Sequence, residues 1–439
     1  MRHFACMCAA LCAALAAPPV NGEDGVAARY RSLQAAHLNT DERIAAYEKL
    51  LKEAPDDPKI ETALASAFIQ KLRETTDFAY LNRAAALVDR LLAADPKNYD
   101  GIRLSAEIET HRHNFPKAAA LARELAERNP SDAGAYGLLG DSLMEMGQYD
   151  MARDAYQRML TLSPNLTSYN RMAYHAFVTG KGDEALAWMA TAVRAGSATP
   201  ENLAWCLVEF GDMLSKTGHA ADAELSYQQA LVALPGYHRA LAAEGRQYAA
   251  AGDFAKATAR FQQAQEVIPL PDYAAALETL YTHSGKTAEA AQQRKLIDVI
   301  ERLGRANGEK GNRMLAVVYA DQNRNLDRAL ELARAELETR KDVYTYDALS
   351  WVLFRDGRQK EAEEASARAL EFRTTEPMFL YHAGVIAMAG GSAKRGRELL
   401  QAALALNPAF AFPQAEDARR RLAETSAAAG ATNAQIVLH

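Results

Sequence analysis

The stretch Ala133–Asn165, AGAYGLLGDSLMEMGQYDMARDAYQRMLTLSPN, decides the fold. It reads as two amphipathic helices joined by a short turn. Tyr136, Leu139 and Leu143 recur at helical spacing in its first half, and Ala152 and Tyr156 do so in its second. Gly147 sits where the first helix must stop, because the residue after a helix often needs left-handed backbone that glycine adopts cheaply. Pro164 closes the second helix, since proline cannot continue one. Gly140 is small enough for the helix carrying Ala152 to pack closely against it.

Outward from this unit the same pattern recurs. The alanines equivalent to Ala152 are Ala84, Ala118, Ala185, Ala223, Ala257, Ala290, Ala329 and Ala362, and Gly396 ends the series. Their separations are 34, 34, 33, 38, 34, 33, 39, 33 and 34, so seven of nine gaps are 33 or 34. Gly180, Gly218, Gly252, Gly285, Gly357 and Gly391 keep the turn position, and Pro96, Pro130, Pro235, Pro269 and Pro408 keep the closing one. A fixed period of this length marks a stacked helical array. Three units depart from it. The Ala290 unit carries Arg294 where an apolar residue is expected, the Ala329 unit lacks both turn glycine and closing proline, and the Ala84 unit has a longer stretch around Thr75-Thr76-Asp77.

Tyr136, Leu139, Gly140, Leu143, Gly147, Ala152, Tyr156 and Pro164, with their equivalents in Leu207–Pro235 and Leu241–Pro269, resemble the tetratricopeptide repeat family over roughly residues 40 to 408. The resemblance implies an all-α fold, a right-handed α-solenoid superhelix of about ten helix-turn-helix repeats with terminal capping helices. The expected organisation is a signal peptide at 1–22, an N-terminal cap and first helix region at 23–64, and a first part of the array at 65–297. A seam at 298–312, around Gly304, Asn307 and Gly308, precedes a second part at 313–408, a capping helix at 409–426 and a disordered tail at 427–439. Arg294 and the seam should open before Gly140–Tyr156.

The N-terminus predicts export. Arg2 is followed by an apolar run from Phe4 to Ala17, a small-x-small site at Ala14-Leu15-Ala16 and Pro18-Pro19. A run of 14 residues is short of the roughly 20 needed to span a bilayer, which leaves an uncleaved interfacial segment as the alternative. Cys12 has leucine rather than a small residue before it, which speaks against lipid attachment. Cys6, Cys8 and Cys12 would leave with the signal, so Cys206 would have no disulfide partner. No later run of 18 apolar residues exists to span a membrane. The location expected is secreted or periplasmic.

Composition bounds the function. Hydrophobic residues make up 49% and charged residues 24%, enough for a large core, and the net charge of −6 offers no basic surface for nucleic acid. His111-Arg112-His113 reads as a solvated helix end rather than a metal pair, Cys206 as a packing residue, and Ser350 and Ser366 as small packing positions. No phosphate-cradling loop is present, Gly390-Gly391 being a helix turn. The expectation is a non-enzyme with no cofactor and no metal. An enzyme would need an acid–His cluster assembled across the repeats.

In the family, the first helix of each pair lines a concave groove. By register, the groove residues are then Asn170, Tyr174 and Phe177, Trp205, Arg246, the set Tyr344, Asp347, Trp351, Phe354 and Arg355, and Tyr381. Clustered aromatics suit recognition, with Arg246 and Arg355 reading carboxylates or backbone. The resemblance implies protein partners bound as a helix or extended peptide; a glycan or small molecule stacked on the aromatics is the alternative. Asn170 and Arg171 match part of the carboxylate clamp some members use, but Val208 and Glu209 stand where a further amide or cation would be needed.

Overall fold

The computed structural model describes residues 23–35, 38–306 and 310–436, and every regular element among them is a helix. The expected signal segment and the tip of the expected seam, 307–309, lie outside the described residues. The N-terminal helices are α1 (Glu23–Ala35), α2 (Thr40–Glu53), α3 (Pro58–Thr75), α4 (Phe78–Ala94), α5 (Tyr99–His111) and α6 (Phe115–Arg128). Antiparallel pairs follow: α7 (Ala133–Glu145) with α8 (Tyr149–Leu162), α9 (Leu166–Val178) with α10 (Gly182–Ala195), and α11 (Pro200–Lys216) with α12 (Ala220–Ala233). Next come α13 (His238–Ala250) with α14 (Phe254–Val267), α15 (Pro271–His283) with α16 (Thr287–Ala306), and α17 (Arg313–Asp321) with α18 (Leu326–Thr339). The last pairs are α19 (Val343–Arg355) with α20 (Gln359–Ala369) and α21 (Pro377–Ala389) with α22 (Ala393–Leu406), closed by α23 (Gln414–Ile436). The chain is an α-solenoid of helical repeats. It divides into two compact units, one comprising the chain up to Leu72 together with Phe78–Leu104, the other Arg73–Asp77 and the chain from Ser105.

The repeat signature has a steric origin. A Cβ on Gly140 would overlap the Tyr156 ring and one on Gly211 the Tyr227 ring, so glycine lets each aromatic side chain lie across the crossing point of its pair. The hydroxyls of those tyrosines start a brace that the repeat pattern alone does not announce. Tyr156 donates to Asp141 (2.9 Å), which also accepts two bonds from Arg171 on the next first helix (2.8 and 2.7 Å). Tyr227, Asp212 and Arg246 repeat the arrangement at 2.7, 3.1 and 3.2 Å. Charge-assisted bonds of this kind are the stronger hydrogen bonds in proteins, and here they tie successive repeats.

The departures from the pattern are compensated. Arg294 does not distort its unit, because it reaches Glu278 at 2.6 and 2.9 Å and Gln322 donates to the same carboxylate. Where turn glycines are missing, His113 (φ 57°) and Asn323 (φ 50°) take the left-handed conformation. Asparagine and histidine visit that region more readily than most residues.

Three expected boundaries move. α1 packs on α2, so the N-terminal cap is a helix pair rather than one helix. α16 is 20 residues long and runs to Ala306, through the first half of the stretch expected to be a seam. α23 continues to Ile436, past the expected end of the cap at 426.

The larger unit closes on itself, which the repeats do not foretell. Successive inter-helix turns in α7–α12 dock against loops 192 to 196 positions further along the chain. Lys341 N–H donates to the Glu145 carbonyl (2.8 Å), and the Arg340 guanidinium lies 2.5 Å from the Glu145 carboxylate. Val343 N–H donates to the Tyr149 hydroxyl (3.0 Å), whose ring meets Phe372 edge-on. Thr374 Oγ1 donates to the Val178 carbonyl (2.6 Å), Lys216 pairs with Glu376 (2.7 Å), and Asn407 Nδ2 donates to the Ser215 carbonyl (2.6 Å).

Candidate functional site

The first helices α11, α13, α15, α17, α19 and α21 face one cavity of about 1580 Å³. Of the residues expected in a groove, Arg246, Tyr344, Asp347, Trp351, Phe354, Arg355 and Tyr381 line it. Asn170, Tyr174, Phe177 and Trp205 do not. Asn170 is buried and donates to Cys206 Sγ at 3.2 Å, and Phe177 is buried beneath the Lys216 ammonium, 5.2 Å from its ring. Tyr174 and Trp205 are half-buried in the packing of α7–α11. These four lie away from the cavity because neighbouring repeats cover this part of α9 and α11. Arg171, part of the incomplete clamp match, bonds Asp141 instead.

The α19–α21 wall is closely packed. Trp351 is only 4% exposed: its indole N–H donates to Asp321 (2.8 Å), and its ring stacks on His382 with centroids 4.3 Å apart at 15°. His382 Nδ1 meets the Asp347 carboxylate at 2.9 and 3.1 Å. This is an acid–His cluster assembled across α17, α19 and α21. It is built as a strut: the imidazole is buried, one nitrogen is held by a carboxylate, and one face is covered by indole. Sequence spacing gives one hint of it, since Asp347 and His382 stand 35 apart, close to the repeat period.

Burial alone pulls the His382 pKa down, but the Asp347 carboxylate, its hydrogen bond and the facing charges of Asp321 and Glu376 outweigh it and raise it above the ordinary value. A raised folded pKa stabilises fully below the unfolded value of about 6.5 and fades as pH rises through the folded one. Stability should therefore fall above neutrality, by at most about 1.4 kcal/mol per pH unit from this group. Urea midpoints at pH 6 and pH 9 should differ more for the native chain than for His382→Gln; an equal difference would remove His382 as the source.

Charges around the cavity are nearly balanced, seven Lys and Arg against eight Asp and Glu. Most are paired: Arg246 with Asp212, Arg313 with Asp342 (2.6 Å) and Thr345 (3.2 Å), and Arg421 with Asp417 (2.5 Å). Accessible apolar groups are Met314, 44% exposed, and the half-buried Phe354, Phe410 and Phe412. Met314, Phe410 and Phe412 fall at a helix start and in a loop, outside the repeat register, so spacing gives no sign of them.

Among the described residues no group of three His, Cys, Asp or Glu is placed to hold a metal ion. His113 is half-exposed rather than fully solvated, and burial, Arg340 and Arg313 press its pKa down to about 3, so it is neutral near pH 7. Cys206 is buried, and its thiol is pushed up to about 12, which makes it a poor nucleophile. No helix among the described residues is long and apolar enough to cross a membrane.

The sequence model of the tetratricopeptide repeat matches residues 111–167 and 138–200. No curated protein matches the chain. Among solved structures, the Cut9–Hcn1 hetero-tetramer of the APC/C is similar at 15% identity and a TM-score of 0.46, the match covering 83% of this chain and 63% of that one. The human IFIT1 dimer with PPP-AAAA is similar at 18% identity and 0.47, covering 75% and 78%. Pseudomonas aeruginosa PilF is similar at 15% and 0.39, covering 47% and 91%. These are loose resemblances between helical arrays, and the complex and ligand named there belong to those proteins. The matched segment carries tetratricopeptide repeats, and helix pairs of similar construction follow it on its C-terminal side.

Proposed function

We propose that the chain is an extracytoplasmic interaction scaffold that holds a helix or extended peptide segment of a partner protein in the cavity of its larger unit. Tetratricopeptide arrays are in general protein–protein interaction scaffolds and are generally non-enzymatic. The observation that carries the finer reading is the cavity: about 1580 Å³, walled by first helices, and larger than the 300–1,000 Å³ usual for small-molecule sites. Its accessible Met and Phe side chains are the types that anchor polypeptide partners. The balanced lining argues against nucleic acid, which needs an excess of cations to neutralise phosphates. Glycan stacking has less support, because one face of Trp351 is already taken by His382. Export rests on the Arg2 to Pro19 sequence, and N-terminal sequencing of the mature chain from an envelope or culture fraction tests it.

Phe354→Ala combined with Met314→Ala should weaken capture of a co-purifying partner at least tenfold, while Val232→Ala, on an 82% exposed outer residue, should leave it unchanged. Equal loss in both would place the binding surface outside the cavity.

A further inference from the structure

The loop between α22 and α23 reads Pro408-Ala409-Phe410-Ala411-Phe412-Pro413 and lines the cavity. Its two phenylalanines join different walls. Phe412 packs on Phe254 (4.7 Å) and, edge-on, on His283 (5.2 Å), with the α13–α15 core. Phe410 packs on Tyr381 (5.9 Å), with the α17–α22 core. Among the described residues the backbone of 408–413 makes local bonds only: Ala409 N–H donates to Asn407, the Ala411 and Pro413 carbonyls accept from the start of α23, and the Pro408 carbonyl accepts from Arg419. The segment is thus anchored at its ends, by Asn407 on Ser215 and by Asp417 accepting from the Tyr381 hydroxyl at 2.8 Å. Within 408–413 the rings that meet the walls are the half-buried Phe410 and Phe412.

We infer that residues 408–413 are an intramolecular strap whose Phe410 and Phe412 fill one end of the cavity with the kind of side chain a guest would bring. The inference rests on reading the cavity as a guest site. A guest with two aromatic or large apolar side chains, spaced one residue apart, competes with the strap and takes the full cavity when it displaces it. The strap sets a threshold: segments without such side chains gain only the remainder of the cavity. Its seat suits release, because displacement breaks ring packing and no hydrogen bond from the strap backbone to either wall.

The test uses the full chain with Trp188→Phe and Trp205→Phe, which leaves Trp351 as the only tryptophan. The probe is a synthetic peptide of residues 406–416. Adding Phe410→Ala and Phe412→Ala should raise acrylamide quenching of Trp351 at least twofold and tighten binding of the peptide at least tenfold over the parent. Unchanged quenching together with equal binding, or none, overturns the strap. If the double alanine chain fails to fold, hydrogen exchange on the unaltered chain decides: amides of Phe410 and Phe412 exchanging at least tenfold faster than the interiors of α21 and α22 support it, and equal protection overturns it. The two readings fail separately. A peptide that binds the opened chain, with no partner held at Phe354, leaves the strap and removes the partner; a partner held at Phe354, with quenching and peptide binding unchanged, does the reverse.

Discussion

Gly180→Ala should destabilise the larger unit by about 2–5 kcal/mol and open the contact on which closure rests. Gly180 has φ 76°, where an L side chain costs about 1–2 kcal/mol. A Cβ there would also sit 2.6 and 2.7 Å from the carbonyl oxygens of Phe372 and Arg373. These are backbone atoms between α20 and α21, so no rotamer change relieves the overlap, and overpacking adds about 1–3 kcal/mol. Gly252 provides the control. It occupies the equivalent turn with φ 79° and has nothing within 4 Å of its Cβ position, so Gly252→Ala should show the conformational cost alone. Urea unfolding measures both. Exchange of the Lys341 amide, which donates across the docked surfaces to Glu145, should rise in Gly180→Ala and stay unchanged in Gly252→Ala. Equal stabilities for the two variants would show that closure contributes nothing.

Trp351→Ala should cost about 3–5 kcal/mol, the range for emptying a buried tryptophan site. The loss removes the stack on His382 and leaves Asp321 without the indole donor. Phe354→Ala, at a half-buried ring on the cavity surface, should cost about 1–2 kcal/mol. Thermal unfolding separates them. If Trp351→Ala proved as mild as Phe354→Ala, the wall would be softer than its packing indicates. Because of this difference, weakened partner binding in Trp351→Ala reports lost structure, while loss in Phe354→Ala reports the cavity.

The repeat was legible from residue spacing because its constraints are local. Gly140 under Tyr156, Gly147 at a left-handed turn and Pro164 at a helix end each follow from steric rules acting within one unit. Closure was not legible, since it depends on contacts such as Lys341 to Glu145 and Thr374 to Val178 that join residues nearly 200 positions apart and involve no shared residue type. The site divided along the same line. Tyr344, Trp351, Phe354 and Tyr381 follow from register on α19 and α21, where the first helices do face the cavity. Asn170 and Phe177 lie away from the cavity, covered by the adjacent repeat and Lys216. Arg294 looked like a fault and is an ion pair, because its partner Glu278 lies on the preceding helix and has no mark in the pattern.

The most direct test of a cavity that holds a polypeptide is site-specific photo-crosslinking in cells that make the chain. A benzophenone amino acid is placed at Phe354, facing the cavity, or at Val232, on the outer surface. A discrete adduct from Phe354, mapping to one short segment of one partner protein and absent from Val232, is the predicted result. An adduct from Val232 with none from Phe354 would contradict it and move the binding surface to the outside of the array.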